Sequence, residues 1–308
     1  MAMITPALLT ELQRTWRQDF QNGLAMAPSQ YKKIASVIPS SSGANVYGWL
    51  GKFPMLREWI GARVIESMKS DGYMVPNKLF EGTVGVSRVD IEDDNLGIYA
   101  TLFQEMGLAA EQHPDIHVFE ALANGFDQPC YDGQNFFDTE HPIYPNPDGT
   151  GTPKMHSNVY MPDADWKGLP WFVLDTSRAI KPIIYQERTK AELEMKYSAA
   201  NSDHVFMLDE YLHGVRMRNN VGYGFWQMAM AGLAELNADN LWEVIQRMRT
   251  IEADGGRKLS MKPTMLVVPP GLEKVATRLL ERELDASMNG TTSNELRNRL
   301  ELLVADYL

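Results

Sequence analysis

Residues 96–124 read LGIYATLFQEMGLAAEQHPDIHVFEALAN, and this stretch decides the fold. Tyr99, Phe103, Met106 and Ala110 follow one another at spacings of four, three and four, the period of one helix face. Val118, Phe119 and Leu122 carry the stripe on toward Gly125. Pro114 lies between the two halves. It removes one N–H from the helical ladder and crowds the preceding turn, so it predicts a kink or interruption. The expectation is one long, kinked helix from about Leu96 to Asn124. Ahead of it, Asp90-Ile91-Glu92-Asp93-Asp94-Asn95 supplies capping oxygens and negative charge for the positive end of the helix dipole.

Working toward the N-terminus, residues 46–90 are β-rich. Arg63 to Met68 and Tyr73-Met74-Val75 flank Ser70-Asp71-Gly72, and Asp-Gly between two such runs is a hairpin signal. A further strand sets Phe80, Val84 and Val86 on one face, with Glu81, Thr83 and Ser87 on the other. The segment from Val46 to Trp59 packs Tyr47, Trp49, Phe53 and Trp59 around Gly48, Gly51 and Pro54. So many large apolar groups with little regular pattern read as a loop that buries them against something else. Residues 25–45, with Pro28, Pro39, Ser40, Ser41, Ser42 and Gly43, read as an extended connector rather than a core element. The chain opens on a helix: Thr5 caps it, Pro6 fits the first turn, Leu9, Leu12, Trp16 and Phe20 form its stripe, and Gly23 is a candidate stop.

Toward the C-terminus, residues 127–170 hold six prolines from Pro142 to Pro170 and form a long loop, the kind of connection that carries function or an intersubunit contact. Trp171 to Leu174 and Pro182 to Tyr185 read as strands, while Glu187 to Tyr197 is open between strand and helix. Val215 to Met230 turns from strand into a short helix around Gly222 and Gly224. The last third is α/β: helices on Leu241, Ile245 and Met248 and on Leu272, Val275 and Leu279, with strands at Met265 to Val268 and Leu300 to Val304.

Composition narrows the function classes. The chain has 308 residues, 44% apolar and 22% charged, enough for a sizeable core. Lys and Arg total 29 against 40 Asp and Glu, a net charge of -11, which argues against a domain that coats nucleic acid or binds anionic lipid. The single cysteine, Cys130, excludes an intramolecular disulfide and a cysteine metal cage. The first residues show neither the basic segment nor the apolar run of a signal peptide, so the expectation is a soluble, intracellular chain.

No catalytic constellation survives inspection. Asp90, Glu92 and Asp94 have the spacing of a calcium loop, but Asn95 and Thr101 occupy the places of its turn glycine and bidentate glutamate. Glu210-Tyr211-Leu212-His213 matches half of a di-iron pair without a second half. His113 and His117 sit four apart, with Pro114 between them and no third ligand evident. Asp138, Glu140 and His141 could form an acid–base or metal group, although Tyr131, Phe136 and Phe137 around them fit a packed loop better. What remains is an apolar N-terminal arm, an aromatic β loop and a proline-rich loop, surfaces that point to partners.

Several blocks in order carry a resemblance. Residues 51–61, GKFPMLREWIG, Val89-Asp90-Ile91-Glu92-Asp93-Asp94 followed by Gly97, and residues 131–142, YDGQNFFDTEHP, are the first three. Gly214-Val215-Arg216 and Val221-Gly222-Tyr223-Gly224-Phe225-Trp226 complete the set. Over about residues 5–280 the chain resembles the Mu-like phage major head subunit (gpT) family. The resemblance implies an α+β Hong Kong 97-type capsid fold: an N-terminal arm at 1–45, an extended β loop (E-loop) at 46–90, a peripheral domain at 91–235 with its spine helix at about 96–124, and an axial domain at 236–308. Part of 91–235 belongs to the axial domain on one reading of that division.

The implied function is a major capsid protein that assembles the icosahedral shell around the double-stranded DNA of a tailed phage. The implied location is the virion, after assembly in the host cytoplasm. The implied partners are further copies in hexamers and pentamers, a scaffold protein, a maturation protease, a portal, a decoration protein, and DNA held without sequence-specific contacts. The arm begins near residue 1, so scaffold and protease are expected as separate chains. Candidate inter-subunit contacts are Trp16, Trp49, Phe53 and Trp59, with Asp71 and Gly72 at the loop tip. No enzyme activity, cofactor or metal is expected. The alternatives are a metal-dependent hydrolase using Asp138, Glu140 and His141, and another ring or tail subunit of the virion.

Overall fold

A computed structural model describes residues 5–50, 72–93, 97–197, 202–287 and 290–308. Helix α1 (Pro6–Met26) starts where Thr5 Oγ1 accepts the Leu8 N–H at 3.2 Å. It runs through Gly23 instead of stopping there. Strands β1 (Ala35–Pro39) and β2 (Ala44–Tyr47) follow, then β3 (Tyr73–Pro76), β4 (Lys78–Ser87), the short α2 (Arg88–Glu92) and the long α3 (Gly97–Ala123). The long helix has the length its periodicity predicts and continues past Pro114. Asp93, expected among its caps, instead closes the C-terminal end of α2, while Asp94, Asn95 and Leu96 lie outside the described residues.

The proline-rich stretch holds only short strands: β5 (His141–Ile143), β6 (Lys154–His156) and β7 (Val159–Tyr160). Next come β8 (Trp171–Leu174), β9 (Ile183–Lys196), α4 (Asp203–Leu208), β10 (Glu210–Tyr223) and β11 (Ala229–Gly232). The open segment after Glu187 is strand, part of β9. The remainder comprises α5 (Ala238–Arg249), β12 (Glu252–Ala253), β13 (Arg257–Lys258), β14 (Met265–Val268), α6 (Glu273–Glu281), β15 (Leu284–Ser287), β16 (Gly290–Ser293) and β17 (Glu301–Val304).

Two main sheets organise the chain. The first has the order β1-β9-β10-β4; β10 runs antiparallel to both neighbours and β1 parallel to β9. Residues 35–39, expected as connector, are therefore an edge strand, with Ile34 and Ala35 buried. Pro39 ends it, a place where a proline breaks no central ladder. The second sheet has the order β17-β14-β8-β11-β7. Every residue of β8, β11 and β14 is buried, so these strands read as unbroken apolar runs without alternation. Helix α5 packs on β11, and α6 on β14 and β17.

The core divides accordingly. The larger cluster surrounds the five-stranded sheet and takes in Val118, Phe119 and Leu122 from the second half of α3. The smaller one joins Leu12, Trp16 and Phe20 of α1 to Tyr99 and Phe103 of α3, with Val86, Leu193, Tyr211 and Val215 beneath. The spine helix thus ties the two clusters together. Among the described residues no helix is long and apolar enough to cross a membrane.

Candidate assembly surfaces and a buried polar cluster

The contact candidates fall in different places. Trp16 stacks on Phe103 at 5.0 Å and lies against Tyr99 and His213, and it is buried within its own chain. Its apolar area is taken up by these contacts within the chain. Trp49 is half-buried, with its ring 5.9 Å from Tyr47 and 5.7 Å from Phe225. Phe53, Trp59 and Asp71 lie outside the described residues, as does the strand expected at 63–68. Gly72 is described and immediately precedes β3. β3 pairs antiparallel with β2, from Ala44 opposite Pro76 to Tyr47 opposite Tyr73. Gly72 therefore lies beside Gly48 at the end of the β2–β3 ladder, where a Cβ on it would stand 2.6 Å from the Gly48 backbone.

A surface that the sequence reading missed lies at the end of the long β9–β10 hairpin. Helix α4 buries Val205 but leaves Phe206, Met207 and Leu208 exposed by 74%, 74% and 59%. Asp203 and Asp209 border this apolar run. Three consecutive large apolar residues between aspartates were the available signal.

The chemistry candidates come apart. Glu210 and His213 lie on strand β10, not a helix, and His213 is buried while Glu210 is half-buried. His113 and His117 do share one face of α3, with ring centroids 4.3 Å apart and Phe80 against both. Pro114 does not separate them. His113 Nε2 lies 3.2 Å from Asn219 Oδ1, and His117 Nδ1 lies 3.3 Å from Glu120 Oε2. Burial, and then His117, push the His113 pKa down. Asp138, Glu140 and His141 do not converge. Asp138 Oδ1 accepts the Glu140 N–H at 3.0 Å, Glu140 is exposed, and His141 turns inward to a different acid.

That acid is Asp132. His141 Nδ1–H donates to Asp132 Oδ2 at 2.8 Å, and the Cys130 thiol lies 3.1 Å from Asp132 Oδ1. The Gln134 N–H also reaches Oδ1, at 3.1 Å. The His141 ring lies flat on Trp226, with centroids 4.1 Å apart. Burial and the neighbouring Asp132 push the Cys130 thiol far up. Burial acts most strongly and raises Asp132, but its bonds to His141, Cys130 and the Gln134 N–H together hold it below the usual carboxylate range. Among the described residues, Cys130, Asp132 and His141 are the one group of three His, Cys, Asp or Glu side chains whose ligand atoms all lie within 4.8 Å of one another.

Comparison with known proteins places these features. The family model of the Mu-like prophage major head subunit gpT matches residues 9–308. The chain is 57% identical to the major capsid protein of Escherichia phage Mu, over 99% of its own length and all of that protein. It is 47% identical to the Mu-like prophage FluMu major head subunit of Haemophilus influenzae, with both chains covered in full. It superposes on the procapsid chain of bacteriophage JBD30 with a TM-score of 0.86 at 51% identity, covering 99% of this chain and 100% of that one. Against the JBD30 capsid the TM-score is 0.77 at 36% identity, with 99% of each chain covered. Both sheets, the spine helix and the α+β composition are thus those of a Hong Kong 97-type phage capsid subunit, and the chain belongs to the Mu-like prophage major head subunit (gpT) family.

Proposed function

We propose that copies of this chain build the icosahedral shell of a tailed-phage head and enclose its double-stranded DNA. The family is a structural one, of phage major head subunits. The observation that carries the reading is the exposed Phe206-Met207-Leu208 run on α4. An apolar patch of this kind, left exposed on the connection between β9 and β10, gains its burial only against another chain.

On this reading α1, α3 and the β1-β9-β10-β4 sheet form the peripheral domain. The β17-β14-β8-β11-β7 sheet with α5 and α6 forms the axial domain. Residues 159–174 and 229–232 then belong to the axial domain and 183–223 to the peripheral one. The excursion that leaves at Tyr47 and returns at Tyr73 is the E-loop, and Phe53, Trp59 and Asp71 are its contact residues. The half-buried Trp49 is a contact at its foot. Assembly takes place in the host cytoplasm, with scaffold, maturation protease, portal and decoration protein as separate partners. The net charge of -11 lets packaged DNA slide along the wall instead of adhering to it.

Electron microscopy of the expressed protein tests the reading. Closed shells, hexamers or pentamers are expected; tubes or single rings would turn it toward the tail or connector alternative. Trp59→Ala is expected to lower shell yield more than monomer stability, and unchanged shell yield would remove Trp59 from the contacts.

A further inference from the structure

We propose that Cys130, Asp132 and His141 form a structural site for one thiophilic divalent cation of the zinc class, which fastens the start of the proline-rich loop to the body. The three residues supply a thiol, a carboxylate and an imidazole, and Cys130 and His141 are buried. Such mixed sulfur, oxygen and nitrogen sets select zinc-like ions over calcium or magnesium, which prefer oxygen throughout. Zinc bonds of about 2.0–2.3 Å put tetrahedral ligand atoms about 3.5 Å apart, so a cluster contained within 4.8 Å has only a short contraction to make. Asp132 keeps 11% of its side chain exposed, which gives an ion a way in. The fourth position falls to water.

The second ring nitrogen of His141 stands outside this set. Hydrogen bonds within the protein leave the fully buried His141 half-satisfied, because its Nε2 has no partner. Its cross-strand neighbour on β6, His156, has a buried and unpartnered Nε2 as well.

Binding breaks the Cys130 S–H bond, and that proton leaves to solvent. The imidazole proton moves from Nδ1 to Nε2, freeing Nδ1 for the cation, and no electron changes hands. The cation displaces that proton, so affinity rises with pH. The site joins residues 130–132 to the first residue of β5 and lies against Trp226, so its role is to fix the loop's path and not to perform chemistry.

The test uses the full-length chain. It is stripped with a chelator and titrated with Co²⁺, which reports on zinc-class sites. One Co²⁺ per chain is expected, with the strong visible bands of a tetrahedral site and a thiolate-to-cobalt charge-transfer band that Zn²⁺ abolishes. Cys130 is the only cysteine, so that band reports this residue. Cys130→Ser is expected to remove the band and weaken Zn²⁺ binding at least tenfold. No charge-transfer band in the wild-type chain, or one that persists in Cys130→Ser, overturns the proposal. The wild-type spectrum decides by itself if the variant fails to fold.

Discussion

Gly107 of the spine helix lies in backbone contact with Phe20 of α1: a Cβ built on Gly107 would stand 2.1 Å from the Phe20 carbonyl oxygen. The contact is reciprocal, since a Cβ on Gly23 would stand 2.0 Å from the carbonyl oxygen of Gln104. The two glycines let α1 approach α3 closely enough for Trp16 to stack on Phe103. Gly107→Ala is expected to force the helices apart at a cost of about 1–3 kcal/mol, as overpacking usually does. A lower melting temperature of the unassembled chain, with faster proteolysis within α1, checks this.

His213 sits under that contact, its ring edge-on to Trp16 and Phe103 at 5.0 Å each. Burial pulls its pKa from 6.5 down to about 4. Between those values the unfolded chain holds a proton that the folded chain refuses. The contribution of His213 is therefore complete above pH 6.5 and is lost as pH falls toward 4, at up to about 1.4 kcal/mol per pH unit. Urea unfolding of His213→Leu at pH 7, 5.5 and 4.5 is expected to show a shallower loss than the wild type over the same range.

Asp115 anchors the connector to the spine helix. Its buried carboxylate accepts the Gln30 N–H at 3.0 Å and the Tyr31 N–H at 2.5 Å. Asp115→Ala strands both donors, and each is expected to cost about 1–3 kcal/mol. Asp115→Asn keeps one acceptor oxygen and is expected to lose less. Denaturant midpoints of the two variants, compared at pH 7, check the order.

Helix α4 separates folding from assembly. Phe206→Ser together with Met207→Ser alters side chains that are mostly exposed, so monomer stability is expected to stay within about 0.5 kcal/mol. Shell yield by sedimentation is expected to fall several-fold. Equal yields would show that this patch meets no neighbour.

Much of the fold was legible because its signals are local. The α3 stripe, the Phe80, Val84 and Val86 alternation on β4 and the apolar run Met265 to Val268 each declare their element within a few residues. Gly23 was misread for the opposite reason. A glycine that ends a helix and one that admits a neighbouring backbone look the same until the neighbour is in place. β1 was hidden by Pro39 and the serines after it, because its partner β9 lies about 150 residues away. The Asp-Gly signal at 71–72 points to a local partner for Tyr73, whereas the described ladder pairs Tyr73 with Tyr47 of β2, 26 positions upstream.

The candidate sites divide in the same way. The sequence by itself determined the family blocks, the acidic balance and the apolar stripes, since these depend only on residue identity and order. Only the tertiary structure decided that Trp16 is internal, that His141 turns from Glu140 to Asp132 and that Cys130 joins them. Those outcomes depend on which chain segments meet in space, and close packing settles that across distances that no periodicity encodes.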